Sequence, residues 1–128
     1  MAKTKVQYEY NMHCLSEILY EYLASAEGLS EWFADDVVVR GDDFFFSWGS
    51  GPAERATLIR YKPESFVRFR WEEDEGTKYF FELSIVIDEI TDDLSLNITD
   101  FCEDGDEEEN QLYWENLIEN LQIKLGAA

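Results

Sequence analysis

The sequence predicts an α+β fold: a seven-stranded curved antiparallel sheet wrapped around a long C-terminal helix. Three observations carry this. A short helical segment ending in Trp32-Phe33 gives way at Val37 to a hydrophobic period of two. Strand-like runs separated by Gly, Pro and Asp turns then continue to residue 101. The last segment returns to a helical period with an apolar stripe long enough to cover the concave side of such a sheet.

VQYEYN (6–11) alternates as a first strand. Leu15, Ile18, Leu19, Tyr22 and Leu23 recur at helical spacing, with Ser16 as the expected cap. A break at residues 24–28 precedes a second short helix through Leu29, Trp32 and Phe33, which Asp35-Asp36 ends. VVVR (37–40) and FFFSW (44–48) flank a tight connection at Gly41-Asp42-Asp43. RATLIRY (55–61) and FVRFRWE (66–72) follow, separated by Lys62-Pro63-Glu64.

KYFFELSIVIDEI (78–90) is expected to be the longest strand, with Tyr79, Phe81, Leu83, Ile85 and Ile87 on one face. Glu82, on the other, is placed to pair with Arg68 or Arg70 across the hairpin. Asp92-Asp93 closes the turn into LSLNITDF (94–101). Asp106 and Glu109 approximate a capping box for a helix striped with Tyr113, Trp114, Leu117, Ile118, Leu121 and Leu125. Gly126 is the expected C′ residue. The order is β-α-α-β6-α, read as one domain over residues 1–128.

Charge and motifs exclude more than they assign. The net charge of −19 repels nucleic-acid backbones and anionic membrane surfaces, so neither is an expected partner. No apolar N-terminal stretch or run of about 18 apolar residues appears, so a soluble, cytoplasmic protein is expected. Cys14 and Cys102 show no metal spacing and are expected as small buried hydrophobes. His13 sits beside Cys14, but neighbours in sequence point apart, so no catalytic dyad is expected. The acidic pairs 35–36, 42–43 and 92–93 match no calcium loop, and no zinc set or phosphate loop is present. No metal, cofactor or catalytic residue is expected.

EGLSEWFADDV (27–37), FSW (46–48), VRFRW (67–71) and LNITDF (96–101) together resemble the START-like, or SRPBCC, helix-grip superfamily. Leu29-Ser30-Glu31-Trp32-Phe33 looks like the Leu-x-x-Trp-Phe element of its heat-shock-protein ATPase activator homologue branch. The resemblance spans roughly residues 5–125 and implies a cavity between curved sheet and C-terminal helix. Members use it for lipids, sterols, polyketides or plant hormones; others are co-chaperone modules.

The aromatic content of 16% supplies the side chains for such a site. Trp48, Phe69, Trp71, Tyr79, Phe81 and Trp114 are expected to converge on one hollow, with Trp32 closing a mouth and Tyr113 covering it from the helix. They either pack on one another or line a pocket of roughly 300–1,000 Å³. The expected function is non-catalytic binding of a small apolar or amphipathic ligand. The alternative is a protein-interaction or co-chaperone-like module using the acidic surface without a small-molecule ligand.

Overall fold

In the computed structural model, which describes residues 2–126, β1 (Lys3–Met12) is followed by α1 (Ser16–Ala24) and α2 (Ala26–Trp32). Six strands come next: β2 (Asp36–Arg40), β3 (Asp43–Ser47), β4 (Glu54–Lys62), β5 (Phe66–Trp71), β6 (Phe81–Ile87) and β7 (Leu94–Glu103). The last helix is α3 (Glu107–Lys124). The sheet order is β1-β7-β6-β5-β4-β3-β2, antiparallel throughout, so β2 to β7 form a meander and β1 returns to lie beside β7. The expected α+β architecture, a curved seven-stranded sheet with a C-terminal helix, is the observed one.

Alternation decides the inner face. Phe44, Phe46, Val67, Phe69, Phe81, Leu83, Leu96 and Ile98 are buried in a cluster with Trp114, Ile118 and Leu121 of α3. The helix residues stand four and three apart, the spacing of a single stripe. Burying one such side chain contributes about 1.5–3 kcal/mol. The stripe is narrower than the sequence suggests, because Tyr113 stays 45% exposed and Leu117 and Leu125 only partly buried.

On the outer face Arg68 Nε donates to Glu82 Oε1 at 2.8 Å, the expected cross-strand pair. Arg70 Nε donates instead to the Tyr79 carbonyl at 2.8 Å. Gly126 takes its expected role after α3, with φ of +72° and its N–H on the Ile123 carbonyl.

Local hydrogen bonds overrule several expected boundaries. β6 runs only from Phe81 to Ile87, and β1 and β7, at ten residues each, are longer. The Asp88 carboxylate ends β6 by accepting the Ile90 and Thr91 N–H groups at 2.8 and 2.9 Å. Those two bonds also hold its carboxyl below the usual range. At the other end Tyr79 N donates to Thr77 Oγ1, a turn that keeps residues 78–80 out of the ladder.

The capping box is not formed, since Asp106 makes no side-chain cap. Glu107 Oε1 instead accepts from Gly105 N at 2.6 Å. Ser16 is likewise the first helical residue of α1 rather than its cap. The side chain that does cap is Ser25, whose Oγ accepts from Gly28 N at 2.9 Å and donates to the Glu21 carbonyl at 2.7 Å. Cys102 is buried as expected, whereas Cys14 is only half-buried; burial pushes both free thiols up.

Candidate functional site

Phe33, at the C-terminal end of α2, organises the interior. It is 1% exposed, and its ring meets Phe46 at 4.9 Å, Phe81 at 5.6 Å and Trp114 at 6.0 Å between centroids. Trp48 and Trp71 lie 6.1 and 6.4 Å away, and Trp32 5.6 Å. Edge-to-face and stacked pairs at such distances contribute about 0.5–1.5 kcal/mol each beyond burial. Two hydrogen bonds fix the frame: Trp48 Nε1 donates to the Phe33 carbonyl at 3.0 Å, and Trp32 Nε1 to the Tyr22 carbonyl at 2.8 Å.

Six of the eight sequence-predicted residues therefore meet: Trp32, Trp48, Phe69, Trp71, Phe81 and Trp114. Tyr113 stands at the rim, its ring 5.5 Å from Trp114. Partial burial of the ring, with the charges of Asp100 and Glu54, pushes its phenol up to about 12. Tyr79 does not join them. Because residues 78–80 leave the ladder, its ring packs on Phe101 at 5.2 Å and its hydroxyl accepts from Lys3 N at 3.0 Å. Phe101 alternates with the inward Asp100, so this contact is on the outer face.

Sequence reasoning missed Phe33 and Phe46 as members. Phe33 stands four residues after the buried Leu29, which was the available signal. These rings fill the space between sheet and α3 that the sequence leaves open for a ligand. Outside them lies a groove of about 220 Å³ between α2 and α3, lined by Trp32, Phe33, Trp48 and Leu117 and by Ser30, Glu31, Asp35 and Asn120; a second, of about 310 Å³, lies beside Trp71 and is lined mostly by polar residues, Glu54, Arg55, Glu72 and Glu73 among them. Lys124 Nζ reaches Glu31 Oε2 at 3.4 Å, linking α3 to α2 beside the first groove. A dent of about 230 Å³ between α1 and α2 is lined by Glu21, Glu27 and Glu31 with Tyr22, Ser25 and Gly28, and no Trp.

One carboxylate sits inside the grip. Asp100 Oδ2 accepts from Trp114 Nε1 at 2.9 Å and Asn110 Nδ2 at 3.0 Å, and Oδ1 accepts from Phe101 N at 2.8 Å. Tyr8 donates to Asn110 Oδ1 at 2.8 Å, so β1, β7 and α3 share one network. Desolvation pushes the Asp100 carboxyl up, opposed by its three hydrogen bonds and the Lys3 charge. Its folded form holds a proton to higher pH than the unfolded chain, so this group favours folding most at low pH. That contribution is lost as pH rises above the ordinary carboxylate value. Between pH 7 and about 4.5, the stability of the native sequence relative to Asp100→Asn is expected to rise as pH falls. Urea melts of both proteins check this, and a pH-independent difference contradicts it.

Among the described residues no cluster of three or more His, Cys, Asp and Glu stands ready for a metal. Among the same described residues no helix is long and apolar enough to cross a membrane.

Comparison with known proteins agrees with this geometry. The family model for a START-like superfamily domain matches residues 1–127. The chain belongs to the START-like superfamily. This START-like domain is 31% identical to a Bacteroides fragilis protein solved by NMR, over 97% of this chain and 92% of that one, with a TM-score of 0.70. It also superposes on the Aha1 dimer structure from Colwellia psychrerythraea at 14% identity and TM-score 0.77, covering 95% and 96% of the two chains. A crystal structure from the dynemicin biosynthetic locus gives 14% identity and TM-score 0.76, over 95% of this chain and 48% of that one. The latter two likenesses bear on fold alone. No curated protein matches the START-like domain described here.

Proposed function

We propose that this START-like domain is a non-catalytic module that binds a small amphipathic molecule in the groove between α2 and α3. The observation that carries this is the groove's make-up: Trp32, Phe33, Trp48 and Leu117 line it together with the polar Ser30, Glu31, Asp35 and Asn120. Apolar burial supplies affinity at about 25 cal/mol per Å², and the polar lining residues orient the polar end. Phe69, Trp71, Phe81 and Trp114 belong to the buried ring cluster behind the groove, and Tyr113 stands at the edge of that cluster. With α2 as a lid, its displacement would enlarge the site into the ring cluster.

Two carboxylates in the groove's lining make the sign of the ligand's head group matter. A medium-chain amine is expected to bind more tightly than the carboxylate of the same chain length, by thermal shift and native mass spectrometry. Asn120 is exposed on α3, so Asn120→Trp is expected to fill the groove and abolish binding while moving the melting temperature by less than about 2 °C. The reading fails if no chain or aromatic amphiphile shifts the melt, or if Asn120→Trp leaves binding intact.

The net charge of −19 favours a second reading, an interaction module meeting a basic protein surface without a small ligand. Capture of such a partner is expected to weaken steeply with salt, which ligand burial in the groove would not.

A further inference from the structure

The sheet ends in two edges, β1 and β2, and they are built differently. β1 sets Lys3, Lys5 and Glu9 along its length, the charged pattern that discourages edge pairing. β2 reads Asp36-Val37-Val38-Val39-Arg40, three β-branched residues between one anion and one cation. Val38 and Val39 are 45% and 38% exposed. Among the described residues neither the Asp36 carboxylate nor the Arg40 guanidinium has an ion-pair partner.

Backbone parity is fixed by the turn that follows. Arg40 pairs with Asp43 across the two-residue turn Gly41-Asp42, with Gly41 at φ +61°. A two-residue turn makes the flanking residues a hydrogen-bonded pair. Counting back in twos, Asp36, Val38 and Arg40 direct their N–H and C=O groups to β3. Val37, itself only 8% exposed, and Val39 direct theirs away from β3.

We propose that β2 is a self-complementary docking edge that pairs, antiparallel, with β2 of a second copy of this chain about a two-fold axis at Val38. In that register Val37 faces Val39 of the second copy on both sides of the axis, so the outward backbone groups exchange hydrogen bonds. Val38 meets Val38 on the axis. Asp36 meets Arg40 of the second copy at both ends, all on the outer face. Sliding the register by two residues sets one charge against Val38 and the other against Ala34 or the like-charged Asp42, so the charges select one alignment. The product is an isologous dimer with one sheet continuing through both copies.

A five-residue edge is a small interface, and two chains at −19 repel each other. The dimer is therefore weak and strengthens as salt is raised from about 0.01 M to about 0.15 M, where screening reaches about 8 Å and leaves the contact pairs.

Sedimentation equilibrium from about 10 μM to about 1 mM tests this, the span expected for a small interface. The native chain is expected to approach the mass of two copies within it. Asp36→Arg and Arg40→Glu, each of which opposes like charges, are expected to stay monomeric alone. Mixed in equal amounts they restore both opposite-charge pairs and are expected to form a heterodimer. Both positions are exposed, and unchanged melting curves show that the variants fold. The proposal is overturned if the native chain stays monomeric throughout, if either single variant dimerises as well as it does, or if the mixture fails to associate.

Discussion

Replacing Gly28 with alanine is expected to cost about 3 kcal/mol or more and to lower the melting temperature by roughly 10 °C. An added Cβ there would stand 2.2 Å from the Glu21 carbonyl oxygen and 2.6 Å from Tyr22 Cα, both main-chain atoms of α1. Backbone cannot rotate out of the way as a side-chain tip can, so the two helices must separate. The helix propensity gained by alanine, about 1 kcal/mol, does not offset that. Separation would also pull Trp32 Nε1 from the Tyr22 carbonyl and Phe33 from its ring partners, loosening the groove with the fold.

Gly51→Ala is the matched control. Its new Cβ finds its nearest neighbour, the Trp48 carbonyl, at 3.4 Å, and the stability change is expected to stay within about 0.5 kcal/mol. Equal melts for the two variants would mean that α1 and α2 are not held at this separation in solution.

Phe33→Ala is expected to cost about 3–5 kcal/mol, the range for emptying an aromatic side chain from a core. The residue is 1% exposed and touches rings from α2, β3, β5, β6 and α3, so no single neighbour can relax into the gap. A dry apolar cavity of that kind takes up small hydrocarbons. Benzene or toluene is therefore expected to raise the melting temperature of Phe33→Ala and leave that of the native chain unmoved. Absence of such rescue, with a loss below about 1 kcal/mol, would show that the ring cluster collapses freely and that Phe33 does not hold the chamber closed.

Both effects rest on residues whose weight is not visible in one dimension. Period-two alternation places Phe44, Phe46, Phe69, Phe81 and Leu96 on one face because strand side chains alternate whatever the sheet packs against. Trp114, Ile118 and Leu121 are legible as a stripe for the same local reason. Alternation stops being a guide where side chains capture the backbone, as at Asp88 and Thr77, and it carried Tyr79 to the wrong side of the sheet. The cap at Ser25 and the absent cap at Asp106 likewise depend on local turn geometry.

Strand and helix order, the curved antiparallel class and most members of the aromatic cluster thus follow from the sequence, because periodicity and turn chemistry act over a few residues. Tertiary structure alone decided that the chamber is filled, that Phe33 is its centre and that the Asp100 carboxylate is drawn into the α3 network. Those outcomes depend on how closely α2 approaches α1 and how far α3 sinks into the sheet. Such distances are set by packing between segments remote in the chain, at Gly28 by the absence of a single carbon atom.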